Sequence, residues 1–254
     1  MKTLLSDRAL LKVSGSDSES FLQNQLSNDI TQLDSSKIQL NAYCQHQGKI
    51  IGLFWVMRYE GSFLLSFPKD LIEVIKSRLQ MFVIMSDVII EDISESYDQI
   101  GLIDKKQPNT HSINAKLSIS IEAKDIKSDI NKSLDYEWTK ACIDSLLPEV
   151  SLYTSEKFVP QMLNLDINEI GVSFSKGCYP GQEVVARLHY LGSAKRRLFS
   201  FTSDKEIQVG DSLYCHTSKA AKIRGDRYKG SGIVVSKVKY NSLFYCLATL
   251  DVDL

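Results

Sequence analysis

The shortness of its apolar runs limits what this chain can fold into. The longest strongly apolar stretch, Ile50 to Met57, spans eight residues and is interrupted by Gly52, whereas a helix that crosses a bilayer needs roughly 20. The core must therefore be assembled from short strands and amphipathic helices. The neighbouring stretches Ile38 to Tyr43 and Ser62 to Phe67 are equally short and rich in apolar and aromatic residues. Gln47-Gly48 and Glu60-Gly61 divide them from Ile50–Met57. Turn residues between runs of this length predict an antiparallel meander.

Helices are expected on either side of the meander. Ser16-Asp17-Ser18-Glu19 has capping-box spacing ahead of Phe21, Leu22 and Leu26. Asp70 to Glu73 is a second box-like start, with Leu71, Ile75, Leu79 and Phe82 on one helical face. Strands are predicted over Val88–Ile93, Gln99–Ile103 and Ile113–Ile121. Trp138, Cys142 and Leu146 recur every fourth residue, as on a core-facing helix that Pro148 ends. After Leu198 the pattern turns to strands alone, at Leu198–Phe201, Ser212–Cys215, Gly232–Val238 and Leu243–Leu250, which predicts a small barrel or sandwich. Gly225 to Ser231 has the two glycines of a phosphate loop but not its Lys-Ser/Thr, and reads as a hairpin turn.

With 43% hydrophobic residues in 254, the chain can bury real cores, as one large domain or two to three small ones. The charged start, Met1 to Arg8, leaves no room for a signal-type apolar stretch and predicts a cytoplasmic protein. The five cysteines include no C-x-x-C pair, so free thiols in a reducing compartment are expected and no metal site is. The pairs Cys44/His46 and Cys215/His216 read as local packing. Residues 176–240 hold 13 Lys and Arg against 5 Asp and Glu in a chain of net charge −1. Such segregation fits an anionic partner, RNA or a polyanionic small molecule, and equally the solvated faces of a barrel.

The most informative stretch runs from Ser175 to Arg187. A strand through Val172 and Phe174 is expected to enter a turn built with Gly177 and Pro180-Gly181, a type II signal. A helix should follow, with Gln182 and Glu183 in its first turn and Val184, Val185 and Leu188 on its buried face. Cys178 then precedes a helix N-terminus and stands two residues from Lys176, a setting that can favour a thiolate. Residue chemistry alone favours a structural turn over a reactive thiol.

Lys176-Gly177-Cys178-Tyr179-Pro180-Gly181-Gln182-Glu183 resembles the K-G-C-Y-x-G-Q-E signature of the YgfZ-type folate-binding proteins. The likeness continues through Phe158 to Asp166 upstream, through Gly15, Asp17, Ser18, Glu19, Phe21, Leu22, Gln23 and Gln25, and downstream in Tyr190-Leu191-Gly192 and Lys195-Arg196-Arg197. The resemblance implies an α+β fold, a three-domain ring similar to the glycine-cleavage aminomethyltransferase, or T-protein. Residues 1–46 plus 113–196 would form a discontinuous folate-binding α/β domain, 47–112 a ferredoxin-like insert, and 197–254 a C-terminal β barrel. It also implies tetrahydrofolate or a derivative as cofactor, with Trp138 and Arg8 at its contacts. Arg8 replaces a tryptophan of one branch, and a guanidinium also stacks on flat rings. Trp55 is expected in a sheet core instead. Cys178 is the candidate functional thiol.

The T-protein carries its catalytic acid in a Gly-Gly-Ile-x-Asp-Asp hairpin, suited to act on the folate nitrogen. The corresponding stretch here is Gly48-Lys49-Ile50-Ile51-Gly52-Leu53, without an acid. Aminomethyl transfer is therefore not expected, and the resemblance implies an accessory function instead, in iron–sulfur cluster assembly or repair and tRNA thiolation, with folate, iron–sulfur enzymes or assembly proteins, and tRNA as partners. A folate-dependent one-carbon transferase or demethylase using another base, or a tRNA-binding module, are the alternatives.

Overall fold

The computed structural model describes residues 1–105, 107, 109–124, 135–214 and 232–252. The chain starts in β1 (Lys2–Leu4) and β2 (Arg8–Ser14), passes through α1 (Ser18–Gln25), and enters the expected meander: β3 (Gln39–Cys44), β4 (Ile50–Tyr59) and β5 (Ser62–Pro68). Next come α2 (Ile72–Gln80) and β6 (Ile89–Asp92). These strands form one antiparallel sheet in the order β3-β4-β5-β2-β6. Both faces of the sheet are covered. Phe54 and Val56 join Phe21 and Leu22 of α1 and Ile75 and Leu79 of α2 in one core, whereas Leu53 and Trp55 belong to another. Two-sided burial is why Ile50 to Met57 reads as a nearly unbroken apolar run instead of an alternation. Each large side chain so buried contributes about 1.5–3 kcal/mol.

A second antiparallel sheet, ordered β1-β7-β9-β8, brings the N-terminus beside β7 (Tyr97–Ile103), β8 (Thr110–Ser112) and β9 (Leu117–Ala123). Helix α3 (Asp135–Asp144) lies against β1 and β7 on one side and the C-terminal sheet on the other. After α4 (Gln182–Leu191), the strands β10 (Arg196–Ser203), β11 (Ser212–Leu213), β12 (Gly232–Tyr240) and β13 (Leu243–Asp251) form a four-stranded antiparallel sheet ordered β10-β13-β12-β11. The turn expected over Gly225–Ser231, and Cys215 with His216, lie outside the described residues. Among the described residues, no helix is long and apolar enough to cross a membrane.

Local expectations fail where tertiary partners intervene. The Ser16–Glu19 capping box does not form: the Ser16 hydroxyl donates to the Asp87 carboxylate at 2.8 Å, Asp17 occupies the N-cap, and Glu19 pairs with Arg58. Asp70 likewise accepts from the Leu152 amide at 2.9 Å, and α2 begins only at Ile72, after a 3-10 turn. Leu71, Ile75 and Leu79 are buried as expected, while Phe82 lies past the helix end and is exposed. Ile113 sits in a turn, its amide bonded to the Leu117 carbonyl. Helix α3 stops before Pro148. Leu146 takes φ +52°, and the Leu146 and Leu147 amides close on the Ile143 and Cys142 carbonyls at 3.0 and 2.9 Å, a Schellman ending that leaves Leu146 off the buried face. Val172 to Phe174 is irregular rather than a strand, fastened by the Ser173 amide to the Ser27 carbonyl.

Candidate functional site

The Pro180-Gly181 pair forms the expected type II turn. Gly181 has φ +82° and ψ 0°, and the Gln182 amide donates to the Tyr179 carbonyl at 3.2 Å. A Cβ at Gly181 would lie 2.5 Å from the Gln45 carbonyl oxygen and 2.7 Å from the Gly48 Cα, so the turn is seated on the β3–β4 hairpin. Helix α4 starts at Gln182 with Glu183 in its first turn. Its buried face is narrower than expected: Val185 is buried, Leu188 half-buried and Val184 exposed.

Lys176 is turned into the protein. Its Nζ donates to the carbonyls of Gln23, Leu26 and Asn28 at 2.6, 2.6 and 2.8 Å, which commits its three protons to the end of α1 rather than to Cys178. Burial pushes its pKa down to about 8. The carbonyls work against that shift, because a neutral amine has only two protons for three acceptors. The ammonium is therefore the form held at neutral pH. Cys178 is exposed, whereas Cys44 and Cys246 are buried and Cys142 is intermediate. Burial pushes the Cys44 thiol up to about 12. Around Gly177 the space is open, with nothing within 4 Å of where a Cβ would stand.

Arg8, Trp55 and Trp138 meet elsewhere, at the inner end of a cleft. A recess of about 40 Å³ is lined by these three with Asp7, Asp135, Thr139, Cys142 and Glu149. Asp7, Thr139, Glu149 and Ser236 also line an outer cleft of about 610 Å³. Trp138 stands edge-on to Trp55, ring centroids 6.1 Å apart. The Arg8 guanidinium carbon lies 3.8 Å from the centre of the Trp55 ring, its Nε donates to the Ser66 hydroxyl at 2.8 Å, and its Nη1 pairs with the Glu149 carboxylate. Trp55 is thus a wall of the recess as well as a core residue, which corrects the expectation that only Trp138 faces it. Burial, reinforced by the charges of Asp7 and Glu149, pushes Asp135 up to about 6. Burial also raises Glu149, against the lowering effect of Arg8.

No protein-family model matches the chain. A tRNA-modifying protein YgfZ from Colwellia psychrerythraea is 31% identical across 80% of this chain and 71% of its own length. The chain belongs to the YgfZ family. A YgfZ from Vibrio atlanticus is 29% identical over 94% of this chain and 80% of that one, and an uncharacterized Haemophilus influenzae protein is 29% identical over 98% and 89%. The fold is similar to that of the glycine cleavage system aminomethyltransferase T from Bartonella henselae, with a TM-score of 0.62 over 99% of this chain and 78% of that one at 12% identity.

In this YgfZ-family chain the signature and the cleft are separate places: no residue from Lys176 to Glu183 lines the recess or the outer cleft. The carboxylates of Asp7, Asp135 and Glu149 were not legible as a group, since a loop, a helix start and the residue after Pro148 supply them. Asp135 alone had a signal, as an acid one turn ahead of Trp138 on the same helix.

Proposed function

We propose that this protein binds a tetrahydrofolate in the cleft and acts in the cytoplasm as an accessory factor for iron–sulfur enzymes or their assembly, including those that thiolate tRNA. The observation that carries this reading is the convergence of Arg8, Trp55 and Trp138 with the carboxylates of Asp7, Asp135 and Glu149 at one inner end. The donor set suits a folate. A pterin is flat and presents N–H donors along its pyrimidine edge, for which carboxylates are matching acceptors. The outer cleft of about 610 Å³ has room for the remainder of the molecule. When bound, folate supplies a carrier of one-carbon units. Arg8 fixes Glu149 and the Trp55 ring, Trp138 walls the recess, and Asp135 exchanges a proton with its surroundings near neutral pH.

In this reading the chain is a three-domain ring: 1–46 with 113–196 form the discontinuous folate-binding domain, 47–112 are a ferredoxin-like insert that adds Trp55 to the recess, and 197–254 form a C-terminal barrel that adds Ser236. The sheet that pairs β2 and β3 with β4 and β5 is common to the first two. Cys178, presented by the turn that Lys176, Gly177, Tyr179, Gly181, Gln182 and Glu183 shape, is the functional thiol. Aminomethyl transfer is not part of the reading, because Gly48 to Leu53 carries no acid. Asp135 supports a second reading, one-carbon transfer or demethylation with this carboxyl as the base, since its pKa of about 6 suits proton exchange.

Anaerobic titration with tetrahydrofolate, followed by tryptophan fluorescence, tests the ligand. Complementation of a deletion strain, assayed for tRNA thiolation and iron–sulfur enzyme activity, tests the role. Saturable quenching and restored activity are expected. A protein that neither binds folate nor restores either activity overturns the proposal, and turnover of a folate derivative selects the second reading.

A further inference from the structure

Helix α4 ends at an exposed corner of aromatic rings. The Phe174 ring is half-buried against the core, and the His189 imidazole stacks on it, with ring centroids 3.8 Å apart and planes 20° from parallel. The Tyr190 ring stands almost perpendicular to that imidazole, at 86° with centroids 4.8 Å apart. The three rings make a platform and a wall. The backbone under the platform is fastened to other elements: the Ser173 amide donates to the Ser27 carbonyl at 3.0 Å and the Phe174 amide to the Glu169 carboxylate at 3.4 Å. His189 is exposed and Tyr190 is 65% exposed. Among the described residues, neither the imidazole nor the phenol has a hydrogen-bond partner.

Two cations flank this corner. Arg187 precedes Tyr190 on α4 at the i, i+3 spacing that makes them neighbours on the helix surface, and Lys195 lies just beyond the C-cap Gly192. Both are exposed, and among the described residues neither has an ion-pair partner. Arg196 and Arg197, by contrast, are engaged by Asp251 and Asp166. Helix α4 and Lys195 also lie within residues 176–240, where 13 Lys and Arg stand against 5 Asp and Glu.

We propose that this corner receives an unpaired base of a single-stranded RNA: the base lies on the His189 ring against the Tyr190 wall, and Arg187 and Lys195 meet the neighbouring phosphates. Every base has a flat π-face, so aromatic side chains set beside cations hold a single strand with little regard to its sequence. A base inside a duplex is already stacked on its neighbours and does not reach such a corner. The imidazole and the phenol have polar groups to spare for a ribose 2′-hydroxyl. The open surface and the run of positive charge suit a polymer with a phosphate at every residue, whereas a free nucleotide needs an enclosing pocket. None of these residues lines the folate cleft, and the proposal goes beyond the accessory reading, which requires no RNA contact by this chain.

The test is the fluorescence anisotropy of a fluorescein-labelled oligoadenylate, alone or annealed to its oligouridylate complement, titrated with the wild-type protein, His189→Ala, Tyr190→Ala and the double variant Arg187→Gln/Lys195→Gln. Melting curves confirm folding, and AMP serves as a competitor. The wild type should bind the single strand more tightly than the duplex, and AMP should compete weakly. Each ring variant should weaken single-strand binding by about tenfold and leave its salt dependence unchanged. The charge variant should instead flatten the slope of log affinity against log salt, by about 0.7 for each cation removed. No saturable binding by the wild type at low salt overturns the proposal, and so does equal affinity for strand and duplex. Folded ring variants that bind like the wild type overturn it too, because charge alone would then hold the strand, and AMP that binds as tightly as the strand makes the corner a nucleotide site instead.

Discussion

Gly101 of β7 lies against the indole of Trp138: a Cβ at this glycine would stand 2.5 Å from Cε3 and 2.8 Å from Cδ2 and Cζ3. The missing side chain is what lets Trp138 reach the recess wall. Gly101→Ala should therefore displace the ring, lower stability by about 1–3 kcal/mol and red-shift tryptophan emission as the indole meets water. An unchanged melting temperature and spectrum would mean that the ring has slack the geometry does not show.

Because Trp55 and Trp138 share the recess, folate binding should quench both. The chain has two tryptophans, so each single variant keeps one reporter: Trp138→Phe and Trp55→Phe are each expected to retain a partial, saturable quench of the remaining indole. An indole that folate leaves unquenched in either variant would place the ligand away from that wall of the recess.

These two tryptophans also show where reading the sequence stops. The type II turn at Pro180-Gly181 and the β3–β4–β5 meander were legible because their signals are local: a positive φ needs glycine, and short apolar runs need turns between them. The neighbourhood of Trp55 is set by strand order, which no local signal encodes. Ser16 and Asp70 had cap chemistry, yet Asp87 and the Leu152 amide, both distant in sequence, compete for them. Leu146 had the correct spacing, but a Schellman ending turned it away before Pro148 could act.

The Asp135 carboxyl is raised from 3.8 to about 6, so the folded state binds this proton more tightly than the unfolded one. Its contribution is fully present below pH 3.8 and is lost as pH rises through about 6. Asp135→Asn should accordingly be more stable than the wild type above pH 6, on the order of 1 kcal/mol for a half-buried group, with no gain in acid. Urea unfolding across that range measures it, and a destabilised variant at pH 7 would contradict the assignment.

Lys176→Met should cost about 2–4 kcal/mol, because three carbonyls at the end of α1 lose their donor together. Lys176→Arg should restore little, since a planar fork cannot serve three convergent acceptors. Wild-type stability in the methionine variant would show that water replaces the ammonium at no cost.

Among the described cysteines, Cys178, the exposed one, should alkylate fastest. Cys178→Ala should melt like the wild type and keep folate quenching, yet fail to restore iron–sulfur enzyme activity in the deletion strain. Full restoration by that variant would reduce the turn to a structural part.

Beside that thiol, Gly177 has neither a positive φ nor a neighbour within 4 Å of a would-be Cβ. The fold would accept a methyl group there without complaint, so folding exerts no demand for glycine at this point. What the bare peptide leaves is open space on the chain just before an exposed cysteine, with no side chain of the preceding residue to cover it.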